Sequence, residues 1–255
     1  IKAQRACFNT TVDRGLHAHP VRQFGMTLLP QIGDDILPEH PLQAFAKGAS
    51  GDIPLILGTT RDEWTLFYLA PQALGGGSAR PEPDAERLSH EFERTLPVQG
   101  QQMLSAYQAL MPNALGSDVF CAYETDRMFR IPTVRMAEAR FKAAAPTWHY
   151  LFEWPCAWNK RLGSCHTIEI PFVFGIIDQP TGQFFTGGGE EALLLSQRVR
   201  EAWSAFAHGQ APQATDWPEW PSYTEAYRET LKIAAVTDRE DNPEMARRQL
   251  WQDVI

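Results

Sequence analysis

The chain has 255 residues, 44% of them hydrophobic and 21% charged, with a formal charge of −8. That length can bury a sizeable core, and α/β folds of this size often form one domain. No run of about 18 apolar residues exists, so the composition argues against a membrane span or wholesale disorder, and the acidic balance argues against a nucleic-acid partner.

From residue 1 to about residue 28 the text is irregular, and His17 and His19 bind a metal only if other ligands arrive from elsewhere. The chain opens on Ile1 with no apolar signal-peptide core after it, so it need not begin where its gene begins. IPLILGTT, Ile53 to Thr60, is a short apolar run bounded by Asp52 and by the polar TRDE, which suits a buried strand of a parallel sheet followed by a loop. Ala70 to Asp84 is rich in Gly and Pro and reads as a mobile connection. Its three glycines lack the Gly-Lys-Ser/Thr ending of a phosphate loop.

AERLSHEFERTL resumes helical spacing, and Pro132 opens a second helix, PTVRMAEARFKAAA, that should stop before Pro146. TWHYLFEW, Thr147 to Trp154, has the aromatic and β-branched content of a strand. A loop follows and delivers His166 at the start of TIEIPFVFG, where Pro171 interrupts an alternating apolar pattern; this reads as a loop entering a buried segment. Leu195, Val199, Ala202, Trp203 and Phe206 recur on one face of a core helix, with Gly209 placed to stop it. TLKIAAV predicts a strand. In NPEMARRQLW, Asn242 is placed to cap a last helix and Pro243 to occupy its first position.

Two loops that each follow a sheet strand carry a titratable residue, Glu63 and then His166. A neutral histidine can take a hydroxyl proton and return it, while a carboxylate fixes its tautomer and stabilises the imidazolium. In α/β-hydrolases the acid precedes the histidine, both on loops at the carboxyl ends of parallel strands. The other chemistry is thinner. Four cysteines form no CxxC pair and no disulfide scaffold; Cys156 and Cys165 either close a loop beside His166 or remain free thiols. Cys165 as a nucleophile is the weaker reading beside a packing role. A metal held by His166 and Glu169 needs a helix that Pro171 argues against.

GDIPLILGTTRDEWTLF and GSCHTIEIPFVFG resemble the blocks around the catalytic glutamate and histidine of the type-B carboxylesterases, which include bacterial para-nitrobenzyl esterases and cholinesterases. TDRMFRIPTVRMAEA, AWSAFAHGQAP with WPEWPSY, and the acidic segment before RRQLW fall in the family's order, so the resemblance runs from about Leu29 to Trp251. It implies an α/β-hydrolase fold, catalytic roles for Glu63 and His166, and supporting positions for Asp126 and Glu169. Trp64, Phe67, Phe172 and Phe174 would line an apolar pocket, with core packing as the competing account of each. Trp64 and Thr167 stand where the family often carries small residues. The resemblance implies no cofactor.

The family's Gly-x-Ser-x-Gly elbow and glycine-rich oxyanion loop do not occur between Ile1 and Ile255. The expectation is therefore the C-terminal portion of a single α/β-hydrolase domain, from an enzyme acting on a small carboxylic ester through an acyl-enzyme, with its serine in an N-terminal half not included here. Alone, the chain should be inactive. The strands IPLILGTT and TWHYLFEW should both lack partners and be covered by that half or by a second copy. The alternatives are a non-catalytic adhesion or binding protein of the same fold, or an inactive stand-alone chain. Composition does not choose a compartment.

Overall fold

The structure, a computed structural model, describes residues 30, 32–70 and 80–254. The expectations for residues 1–28, including His17 and His19, and for most of the Gly/Pro-rich connection fall outside them. In chain order the elements are α1 (Pro41–Ala46), β1 (Leu55–Thr60), α2 (Thr65–Leu69), α3 (Ala85–Thr95), α4 (Gly100–Leu110) and α5 (Gly116–Thr125). A π-helical turn, Asp126–Arg130, leads into α6 (Ile131–Ala139) and β2 (Thr147–Phe152). After β2 come a short 3₁₀ turn (Lys160–Leu162), α7 (Ile170–Val173), α8 (Pro180–Thr186) and α9 (Gly189–Ala207). β3 (Glu229–Ile233), β4 (Asp238–Asp241) and α10 (Met245–Leu250) complete the chain.

The four strands form one mixed sheet in the order β1-β2-β3-β4, parallel across the first two pairings and antiparallel across the last. β1 begins at Leu55 because Pro54 has no N–H to give the ladder. It runs in register with β2 from Leu55 opposite Thr147 to Thr60 opposite Phe152. Gly58 lies opposite Tyr150, and a Cβ there would sit 2.4 Å from the Tyr150 ring, so the glycine makes room for an aromatic side chain. Of the two strands expected to lack partners, β1 pairs with β2 on one side and has its other edge unpaired among the described residues. β2 is bonded on both sides, because the later segment TLKIAAV folds back as β3 to cover it.

Strand alternation gives the sheet two different faces. Trp148, Phe152, Leu231 and Ile233 pack with Phe172 and with Leu195, Val199 and Ala202 of α9 in one apolar core. His149, Leu151 and Thr230 face the other way, toward Ile131 and Val134 of α6. A second core lies among α3, α4 and α5, where Phe92 stacks on Tyr123 at 4.0 Å and Trp251 stacks on Tyr123 at 5.5 Å. Gly209 ends α9 at a φ of +79°, where its N–H reaches Phe206 O.

The last helix differs from expectation. It starts at Met245 with Glu244 as its N-cap, not at Pro243, and Asn242 adopts a positive φ and accepts from Arg248 Nε at 3.0 Å. The physical reason is β4: the antiparallel strand Asp238–Asp241 uses the preceding residues for pairing, so the chain must turn through Asn242 before a helix can begin. The TIEIPFVF segment also resolves differently, as a turn followed by the single-turn helix α7, with Pro171 in its first turn.

Candidate active site

Beyond Thr60 and Phe152 the two parallel strands keep pairing through their loops. Arg61 N donates to Phe152 O and Asp62 N to Ser164 O, each at 2.9 Å, while Asp62 Oδ2 accepts from Ser164 N at 2.8 Å. Ser164 Oγ donates to Phe152 O at 2.7 Å. Gly163 permits this closure: its φ is +56°, and a Cβ would meet Asp62 Oδ2 at 2.1 Å. Two loops sewn together in this way present their next residues side by side.

Those residues are Glu63 and His166. His166 Nδ1 lies 2.6 Å from Glu63 Oε2, and Glu63 Oε1 accepts from Thr60 N at 2.7 Å. A carboxylate has only lone pairs to offer, so the Nδ1 of His166 carries the proton and Nε2 is the ring's free basic atom. The glutamate side chain is 6% exposed and the histidine 34%, which leaves the base accessible and its partner sheltered. The hydrogen bond to Glu63 raises the His166 pKa above its ordinary value, against the opposing effect of burial. Thr167, directly after the histidine, has a φ of +70°, a strained setting for a β-branched residue that the surrounding loop must hold.

An aromatic wall borders the imidazole. The ring centroids of Phe67 and Phe129 lie 5.0 and 5.2 Å from that of His166, and Trp64 packs on Phe67 at 5.0 Å. Of the four aromatic residues proposed for a pocket, Phe67 lies against the histidine ring and Trp64 packs on Phe67 and Phe129. Phe172 does neither: it is fully buried, packed against Phe152 and Trp154 in the core. Phe174 is 72% exposed at the end of α7. Because a helical turn replaces the alternating pattern, these two side chains are carried to opposite environments, and neither joins the wall. Phe129 joins it instead, from the π turn.

Glu169 caps α7 close to the pair. Burial raises its pKa, with the Glu63 charge adding and His166 opposing, and its Oε2 is buried with no hydrogen-bond partner among the described residues. Asp126 does not touch Glu63 or His166. It is fully buried and accepts from Arg130 Nη1 at 3.1 Å, from Arg247 Nε at 2.8 Å and from the Tyr107 hydroxyl. Arg130 Nη2 in turn donates to Arg61 O at 2.7 Å, so Asp126 reaches the glutamate loop through one guanidinium. Trp64 N also bonds Thr125 Oγ1 at 2.9 Å, a second tie from α5 to that loop.

Cys156 and Cys165 are free and buried. Cys165 lies in the same core as Leu162 and Ile168, the surroundings of a packing residue. Among the described residues no group of three or more His, Cys, Asp or Glu side chains is placed to hold a metal, and no helix is long and apolar enough to cross a membrane.

A model described as the carboxylesterase family matches residues 7–251. The para-nitrobenzyl esterase of Bacillus subtilis (strain 168) is 33% identical over 229 residues, which are 89% of this chain and 43% of that protein. Carboxylesterase 5A of Felis catus is 30% identical over 215 residues, 78% of this chain and 37% of its own. Among solved structures, a Geobacillus stearothermophilus carboxylesterase aligns with a TM-score of 0.74 at 27% identity, covering 94% of this chain and 49% of that one. A PNB esterase aligns with a TM-score of 0.67 at 30% identity, covering 92% and 46%. The chain thus spans less than half the length of these relatives.

Proposed function

The chain belongs to the carboxylesterase family, with the architecture of part of an α/β-hydrolase fold, and from that premise we propose that its complete protein hydrolyses carboxylic esters through a Ser-Glu-His triad. Glu63 is the acid of that triad and His166 its general base. The observation that carries this reading is the 2.6 Å bond from His166 Nδ1 to a nearly buried Glu63, at the carboxyl ends of adjacent parallel strands.

In this mechanism His166 Nε2 takes the proton of a serine hydroxyl as its oxygen attacks the ester carbonyl carbon. Glu63 stabilises the imidazolium that results. The imidazolium gives its proton to the departing alcohol, and the acyl-serine is then hydrolysed by a water that His166 deprotonates in turn. Serine and oxyanion donors come from a segment outside these 255 residues, whose text contains no Gly-x-Ser-x-Gly elbow. That segment, or a second copy of the chain, supplies strands to the edge of β1 that is unpaired among the described residues. Without it the chain has a base and nothing to activate. The wall of Trp64, Phe67 and Phe129 favours an ester with an apolar acyl or alcohol group.

A fluorophosphonate, which phosphonylates an activated serine, tests the reading in the complete protein. The expected adduct is one phosphonyl group on a serine outside residues 1–255, formed far more slowly in His166→Ala. An adduct on a residue of the 255, or no adduct in a folded protein, would overturn it.

A further inference from the structure

The sheet face turned toward α6 holds a second arrangement, apart from Glu63 and His166. Thr59, Arg130, His149 and Thr230 are among fifteen residues, reaching as far as Tyr223, Glu244 and Arg247, that line a cavity of about 20 Å³. Three atoms of these residues are buried with no hydrogen-bond partner among the described residues: Thr59 Oγ1, Arg130 Nε and His149 Nε2. Buried polar atoms of this kind are seldom left unpaired, and a cavity of that size suits a single water.

Thr230 Oγ1 donates its one proton to Arg228 O at 3.1 Å, so toward His149 it can only accept. His149 Nδ1, 3.1 Å away, is therefore the protonated nitrogen, and Nε2 is an acceptor. Burial, helped by the Arg130 charge, pushes the His149 pKa down to about 4, which keeps the ring neutral near pH 7. Arg130 gives one Nη1 proton to Asp126 and one Nη2 proton to Arg61 O, and its buried Nε–H has no acceptor among the described residues. The Thr59 hydroxyl serves as either.

We propose that Thr59 Oγ1, Arg130 Nε and His149 Nε2 form a site for one resident water molecule beneath the sheet. The water accepts from Arg130 Nε–H, donates one proton to His149 Nε2 and bonds the Thr59 hydroxyl with what remains. A halide suits Arg130 but has no proton for His149 Nε2, and a cation is repelled by the guanidinium; only a group that both donates and accepts satisfies the set. The bound water links β1 and β2 to the arginine that also holds Arg61.

The test uses the complete protein and reads no ester turnover, so it does not depend on the esterase reading. A crystal structure resolving ordered water should show one peak within hydrogen-bond distance of all three atoms, with no anomalous signal after a bromide soak. Thr59→Ser should retain the peak, and His149→Phe should abolish it by removing an acceptor and filling the space. Independently, long-range ¹⁵N–¹H correlation on the His149 ring at pH 7 should report the Nδ1–H tautomer. An anomalous bromide peak, direct pairing among the three side chains, or an Nε2–H tautomer would overturn the proposal.

Discussion

Arg130 Nη2 donates to the backbone carbonyl of Arg61 at 2.7 Å, two residues before Glu63, while Nη1 of the same guanidinium is held by Asp126. The orientation of the glutamate loop is thereby tied to a buried carboxylate that never contacts the glutamate. Asp126 also anchors Arg247 of α10, so one charge joins the π turn, the loop after β1 and the end of the chain.

Asp126→Ala leaves two guanidinium groups without their buried counter-charge, and breaking a buried pair from one side is far more costly than replacing both partners. The expected loss is about 3–5 kcal/mol of unfolding free energy, read by denaturant titration. Arg130→Met with Asp126→Leu, which removes both charges of that pair, should cost less than the single change. Equal losses would mean that the ion pair is not what Asp126 contributes.

The hydrogen bond to Glu63 raises the His166 pKa, so Glu63→Gln should bring the ring's titration midpoint, read by NMR on this chain, back toward the ordinary value near about 6.5. The linked stability follows in sign. A histidine whose folded pKa is raised adds stability that is complete below its unfolded value and is lost as pH rises through the folded one. The stability difference between the parent chain and Glu63→Gln should therefore be larger at pH 6 than at pH 9.

Glu169 has the opposite consequence for its own charge. Its folded pKa is raised by burial, so ionisation opposes folding at neutral pH and is harmless once the group is protonated in both states. Glu169→Gln, which keeps the shape of the side chain without its charge, should stabilise this chain at pH 7–8. The gain should vanish near pH 3.5, below the ordinary glutamate value of about 4.3. A gain that does not change with pH would remove burial of charge as its cause.

The two phenylalanine environments separate stability from binding. Phe172→Ala empties a core position and should cost about 3–5 kcal/mol. Phe129→Ala, at the half-buried wall beside His166, should cost less, and in the complete enzyme it should raise KM for an apolar ester by up to about tenfold while leaving that for a small polar ester nearly unchanged. The comparison of the two KM values distinguishes a wall from a packing residue.

Much of this arrangement was legible in the sequence, and the rest was hidden for identifiable reasons. IPLILGTT and TWHYLFEW are dense enough in apolar and aromatic residues to declare strands, and Glu63 and His166 follow them in the order the α/β-hydrolase topology uses. Phe129 and Arg130 were hidden because a π turn alters the helical period, so no spacing rule places one at the histidine and the other at Arg61. Nearness to His166 in sequence did not tell the directions of Phe172 and Phe174, because the turn at Pro171 sends one inward and one outward. Strand β4 was invisible: DRED has no apolar residue, and it is held by the backbone ladder to β3 and by the Lys232–Glu240 ion pair at 3.0 Å.

The role of His166, held by Glu63, as the base of ester hydrolysis is tested by turnover of an activated carboxylic ester by the complete enzyme and its His166→Ala variant, with folding of both checked by circular dichroism. Removal of the imidazole should lower kcat by about 10³ or more. Turnover within a few-fold of the parent enzyme in a folded His166→Ala protein would contradict it.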